Sequence, residues 1–246
     1  MFPIQTSVML RYVPVVTWAL IGVNVLFFLY EVSLPPPVLE AFLHEHALVP
    51  ARYFVPGYAL ERGLDPGDLS PFFTNMFLHG GWFHLIANMW TLYIFGPAVE
   101  DRIGPLRFLV FYIVCGLGAS WAHAAVNWNS TIPALGASGA IAGVIGAFMR
   151  MFPLARVIVL VPLVFIPWFF AMPAAIYAGF WFLLQLVQGL GSLVAGPLQG
   201  GVAWWAHVGG FAFGWLIIPL LVSRRHHPRR PQRDEGWLGF PPHGRY

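Results

Sequence analysis

The chain has 246 residues, of which 58% are hydrophobic, 17% aromatic and only 9% charged, with a formal net charge of +3. These proportions lie far outside the soluble range and predict an integral membrane protein. The basic residues are all arginine and unevenly placed, so they bear on membrane topology first; nothing resembles a nucleic-acid module and no such partner is expected.

Apolar runs long enough to cross roughly 30 Å of hydrocarbon occur near 13–32, 77–98, 106–126, 137–152, 172–190 and 201–222, predicting six spans. Residues 1–12 would be a cytoplasmic N-terminus. The first run is longer than a signal-peptide core and no clear small-residue cleavage site follows, so it reads as a retained anchor. Residues 33–70, with "PPP" and several charges, read as a long outer loop partly ordered on the membrane surface rather than an independent domain. The stretch 156–190 is too long for one straight helix and too short for two spans with a turn, and Pro162, Pro167 and Pro173 interrupt its first half. It reads as an interfacial or broken piece followed by one span. With both termini inside, eleven of thirteen arginines fall on the inner side, Arg52 and Arg62 outside, and residues 223–246 form a basic, disordered cytoplasmic tail. The expectation is an all-α polytopic bundle, with residues 13–222 as one membrane domain. The lone Cys115 excludes an intrachain disulfide.

Polar groups inside the membrane are costly and mark functional candidates: His79, His84, Asn88, Ser138 and His207. In "GASGAIAGVIGAF", Gly139 and Gly143 make a small-residue face beside Ser138; in "WWAHVGGFAFGW", His207, Gly210 and Gly214 share a helix face at i, i+3 and i+7. Two such faces packed together would bring the Ser138 hydroxyl to the His207 imidazole, the pairing that activates a nucleophile. His84 and Asn88, at i and i+4, project from one face of the second span. Counted from the nearest cytoplasmic charge at about 1.5 Å per residue, all four lie roughly 18–26 Å above the inner boundary. From Ser138 to Arg150 the fourth span is too short to cross, so its N-terminal end would be sunken, with unpaired N–H groups beside the hydroxyl. The only acidic residues from 69 to 233 are Glu100 and Asp101, at the inner edge, so no carboxylate is expected at the depth of Ser138. The chemistry predicted is a Ser-His dyad: Ser138 attacks a carbonyl, His207 moves the proton, and the Ser138 N–H with His84 and Asn88 holds the oxyanion.

"GASG" with Ser138, "AHVGGFAFG" with His207, "HGGWFHLIANM" with His84 and Asn88, and "FGPAVEDRIG" around Glu100 and Arg102 together resemble the rhomboid intramembrane serine proteases. The similarity runs from about "LVPARYF" at 48–54 to residue 216. It implies a six-helix core, no cofactor and no metal, cleavage of transmembrane protein substrates near their outer end, and a bacterial-type inner membrane location. Gly136, Gly139, Gly210 and Gly214 would support the site, Glu100 and Arg102 would brace the loop after the second span, and His79 would be structural. Two departures stand out: Ser70-Pro71 replaces a Trp-Arg pair common in the family, and Ala142 stands where some members carry a tyrosine that stacks on the histidine. One rival function is a catalytically silent rhomboid-like binding or quality-control factor. The other is a metal or proton transporter using His79, His84, His123 and His207, which no carboxylate or thiolate cluster accompanies.

Overall fold

The computed structural model describes residues 2–163, 166–195 and 203–222. In chain order these form strand β1 (Phe2–Thr6), helices α1 (Val15–Ser33), α2 (Pro36–His46), α3 (Ala51–Phe54), α4 (Tyr58–Glu61) and α5 (Pro71–Thr74), and a 3-10 turn at Asn75–Phe77. Then follow α6 (Trp82–Ile103), α7 (Pro105–Val126), α8 (Ser138–Met151), β2 (Arg156–Leu163), β3 (Ile166–Pro173), α9 (Ala174–Ala195) and α10 (Trp204–Leu221). Proline opens α2, α5 and α7, where its missing N–H costs nothing and its fixed φ suits a first turn. Gly104, at φ 87°, is the single residue between α6 and α7, a backbone conformation that side-chain-bearing residues rarely adopt.

Among the described residues, four helices are long and apolar enough to cross a membrane: α1, α7, Ala174–Leu193 of α9, and α10. The other two expected spans correspond to α6 and α8. The former has 22 residues but carries His84, Asn88, Glu100, Asp101 and Arg102. The latter has 14 residues, about 21 Å of helix against roughly 30 Å of hydrocarbon. Gly139–Phe148 of α8 are all buried, and α6, α7, α9 and α10 pack around it. A helix that is apolar on every side belongs in a core, and this one is the centre of the fold.

Small residues set the closeness of that packing. A Cβ built on Gly210 or Gly214 would fall on the carbonyl of Gly139 or Gly143, and one on Gly146 would fall on the carbonyl of Phe211. Backbones at this distance gain van der Waals contact, the main attraction between helices where lipid is as apolar as the side chains.

The all-α expectation needs correction, because a three-stranded antiparallel sheet of order β1-β2-β3 accompanies the helices. The first part of 156–190 is a β-hairpin, paired from Arg156↔Pro173 to Leu163↔Ile166. The β-branched run "VIV" and the aromatic "WFF" favour extended backbone, and the prolines that deny a helix lie opposite one another at Pro162↔Pro167 or at the hairpin's end. Residues 2–6 are its third strand rather than a free N-terminus, with Phe2 opposite Leu160 and Thr6 opposite Val157.

The second span also starts later than expected, at Trp82, and runs on to Ile103. Glu100 therefore lies in its last turn, and its carboxylate reaches α1 rather than the following loop. It accepts from the backbone N–H of Val16 (2.9 Å) and Thr17 (2.7 Å) and from the Thr17 hydroxyl (2.7 Å). The N-cap of α1 is Pro14, which supplies no side-chain bond, so an acid from another helix satisfies the exposed donors of its first turn. Asp101 accepts from the N–H of Arg11 and Tyr12 just before it, and Arg102 is buried at the same end. The basic tail at 223–246 lies outside the described residues.

Candidate active site

The outer loop prepares the site. Arg52, 3% exposed, donates to the carbonyls of Glu45 and Asp65 and to the Asp68 carboxylate (3.0 Å), whose other oxygen accepts from the Ser70 N–H. The Ser70 N–H, with the Arg52 guanidinium beside it, holds the Asp68 carboxyl below its usual range. This staple orders the loop directly ahead of Ser70-Pro71, where the resemblance leads one to expect a Trp-Arg pair. Leu48 then exchanges both backbone bonds with Ala134, and Gly136 donates to the Asn75 carbonyl (2.8 Å). Those contacts hold the segment that leads into α8.

Ser138 is the first residue of α8, following the N-cap Ala137. First-turn N–H groups have no intrahelical acceptor, so the hydroxyl stands beside free donors and partial positive charge. His207 lies in the first turn of α10, and its Nε2 is 2.7 Å from Ser138 Oγ. The glycine contacts between α8 and α10 make that approach possible. The Nδ1 of His207 is 2.8 Å from Gln185 Oε1, on α9. The ring also lies near Trp181 (5.9 Å between centroids) and edge-on to Trp204 (6.2 Å).

His84 and Asn88 converge on Gly136, two residues ahead of Ser138. A Cβ at Gly136 would lie 2.8 Å from both Cε1 and Nε2 of His84 and 3.6 Å from Asn88 Nδ2, and φ there is 126°. Only glycine fits both the conformation and the space. His84 Nδ1 accepts from the Gly80 N–H at 3.4 Å, so in the neutral ring the proton sits on Nε2, the nitrogen facing Gly136. Asn88 Nδ2 is buried with no partner among the described residues. His84 Nε2 and Asn88 Nδ2 thus both lie close to Gly136, two residues ahead of Ser138.

One carboxylate is buried within the helical bundle: Glu31, 2% exposed near the end of α1. Its two oxygens accept from the His79 backbone N–H at 3.2 and 3.1 Å. Hydrogen bonding to His79 leaves His207 with the Gln185 amide, not an acid, at its second nitrogen. Of the four histidines weighed as a transport site, His79 and His84 pack edge-on against each other, whereas His123 faces Asn127 and His207 joins Ser138 to Gln185. Sequence reasoning also missed a buried network beside the nucleophile. Asn75 donates to Ser120 Oγ (3.0 Å) and to the carbonyls of Pro71 and Phe72, and Asn75, Ser120 and His123 line a narrow crevice that reaches Ser138.

An apolar helical bundle built around a half-buried serine and a buried histidine defines a polytopic membrane protein with a hydroxyl-imidazole site. Residues 66–224 match the Rhomboid domain, and the chain belongs to the rhomboid family. It is 32% identical over 158 residues to "RHOMBOID-like protein 4" of Arabidopsis thaliana, covering 64% of this chain and 35% of that one. It is 33% identical over 146 residues to "Putative rhomboid protease YdcA" of Bacillus subtilis, covering 58% and 64%. It is 26% identical over 231 residues to "Rhomboid protein 1, mitochondrial" of Saccharomyces cerevisiae, covering 90% of this chain. The chain spans between about a third and two thirds of the length of these relatives.

Proposed function

We propose that the chain is an intramembrane serine endopeptidase that hydrolyses peptide bonds of transmembrane protein substrates near the outer membrane face. The observation that carries this reading is the 2.7 Å separation of His207 Nε2 from Ser138 Oγ, with free donors of a helix N-terminus alongside. The hydroxyl oxygen attacks the scissile carbonyl carbon as its proton passes to His207 Nε2. The oxyanion formed takes hydrogen bonds from the Ser138 N–H, His84 Nε2 and Asn88 Nδ2. Collapse of the tetrahedral intermediate breaks the C–N bond, and the imidazolium returns its proton to the leaving amine. Water, deprotonated by the same nitrogen, then adds to the acyl carbon and frees Ser138.

In this reading α1, α6, α7, α8, α9 and α10 are the six spans of a membrane domain over residues 13–222, and both termini face the cytoplasm. Glu100 and Asp101 mark the inner end. With only 14 residues, α8 starts below the outer surface, so Ser138 is sunken and shielded while the crevice beside Asn75 and Ser120 admits water. A bacterial-type inner membrane is the assigned compartment, although one yeast relative is named mitochondrial. No cofactor or metal takes part.

The deciding experiment is release of a tagged single-span substrate in membranes, paired with fluorophosphonate labelling. Wild type should cleave and label, whereas Ser138→Ala and His207→Ala should do neither. Equal cleavage by wild type and Ser138→Ala, or none under any condition, sinks the protease reading. The latter result would favour the silent binding factor.

A further inference from the structure

Helix α9 is apolar through Ala174–Leu193, and its outward side chains, Phe180, Leu183, Leu184 and Val187 among them, are exposed as they would be to lipid. Gln185 interrupts this pattern and is 7% exposed. An amide buried in a membrane helix is unfavourable unless it is hydrogen-bonded, and its partner here is the imidazole that touches Ser138. Trp181 lies one turn earlier and also faces His207, so α9 presents a ring and an amide to that side chain. By contrast Ala142, where some family members place a stacking tyrosine, is a fully buried methyl on α8.

The chemistry at Ser138 sets the state of the ring. For Nε2 to receive the hydroxyl proton it must present a lone pair, so in the neutral ring the hydrogen belongs on Nδ1. An Nδ1–H needs an acceptor, and Gln185 Oε1 stands at 2.8 Å. The opposite tautomer would put hydrogen on Nε2, against the hydroxyl, and leave the Gln185 oxygen facing a lone pair. One hydrogen bond therefore favours the competent form of the ring and also fixes its rotation toward Ser138.

We propose that Gln185 is a positioning residue for His207: it holds the Nδ1–H tautomer without the charge that an aspartate would bring into the membrane. The proposal rests on the reading of Ser138 as nucleophile, and it explains how a dyad can work without an acidic third member. The imidazolium formed during reaction keeps the same Nδ1–H···O bond, so the support lasts through the proton transfer. When Gln185 is replaced by an apolar group of similar size, that N–H loses its acceptor. Loss of a buried bond of this kind corresponds to about a ten- to hundredfold drop in rate.

The test compares Gln185→Met, which keeps the volume but removes the oxygen acceptor, with Gln185→Glu, which keeps an acceptor but adds charge. Expected are a kcat lowered about ten- to hundredfold with KM nearly unchanged in Gln185→Met, and recovery to within about tenfold of wild type in Gln185→Glu. If the residue only fills space, the order reverses: methionine is tolerated and glutamate is damaging. That reversal overturns the proposal. The second readout does not depend on catalysis: nitrogen NMR of histidine-labelled protein should show the His207 proton on Nδ1 in wild type and a lost preference in Gln185→Met. A wild-type proton on Nε2, or an unchanged preference in the variant, overturns it even if the variant fails to express well enough for kinetics. Should wild type neither cleave nor label, the protease reading falls by itself, while the tautomer measurement still decides the role of Gln185.

Discussion

The α8–α10 contact and the β2–β3 hairpin are both built from apolar sequence, and they differ in side-chain size. Along the first, Gly146, Gly210 and Gly214 remove the side chains between the helices and carbonyls stand where their Cβ atoms would be, while Gly139 and Gly143 also clear room for Ala119 and Cys115 of α7. Along the second, large side chains fill the space instead: Val157 and Val159 pack into the core, while Ile166 and Trp168 are 71% and 55% exposed, against 9% for His207. Hydropathy places both regions at the membrane. Side-chain size decides which one brings two backbones close enough for a hydroxyl to meet an imidazole.

The largest effect should come from filling the glycine contact. Gly210→Leu sets a branched side chain against the Gly139 carbonyl, and overpacking of this kind costs about 1–3 kcal/mol or more in the folded state. Cleavage should fall to the Ser138→Ala background while protease-accessibility mapping shows unchanged topology; full activity in Gly210→Leu would break the comparison. Next is Gly136→Ala, which combines an unfavourable φ with a clash against His84. Losing an oxyanion donor is expected to lower kcat about a hundredfold, measured as single-turnover release of the tagged product.

A smaller effect concerns the outer loop, where a charge pair adds to small apolar clusters around Leu48 and Val49. The folded state holds the Asp68 carboxyl below its ordinary value, so the staple's contribution is complete above the unfolded pKa of about 4 and is lost as pH falls through the folded value. Hydrogen exchange over residues 45–70 should accelerate on that acid side in wild type, whereas Asp68→Asn should exchange fast at neutral pH already. A wild-type rate with no acid dependence beyond the intrinsic one would show that the loop does not need the pair. The smallest effect is expected at the hairpin. Trp168→Ser should change cleavage by no more than about twofold, as for other exposed positions. A tenfold loss would tie the hairpin to the site and erase the contrast with the glycine contact.

The meeting of Ser138 with His207 was legible because each sits on a face cleared of side chains, and a helix repeats its faces at known intervals. The shared direction of His84 and Asn88 followed from their i, i+4 spacing. Gln185 carried no comparable signal. It lies 22 residues from His207 on another helix, and the rotation of α9 that turns it inward, rather than exposed Gln188, is set by packing. Glu31 sits at the end of an apolar run, where an acid reads as a loop boundary; it becomes a buried acceptor only because the turn before α6 folds back onto it. The hairpin was misread because hydropathy does not distinguish a broken helix from two paired strands, and the pairing with residues 2–6 spans about 150 residues of chain.

Composition and the periodic placement of small and polar residues determined, without any tertiary information, that this chain is a helical membrane protein, and its motifs around Ser138 and His207 resembled the rhomboid family. Those are properties of local repeats, and each helix carries its own. Only the tertiary structure decided that Glu100 caps α1, that the segment after α8 closes into a sheet with the N-terminal residues, and that Gln185 holds the far side of His207. Each of these joins groups on separate elements, and a hydrogen bond's reach of about 3 Å depends on how those elements pack, which no spacing along the chain records.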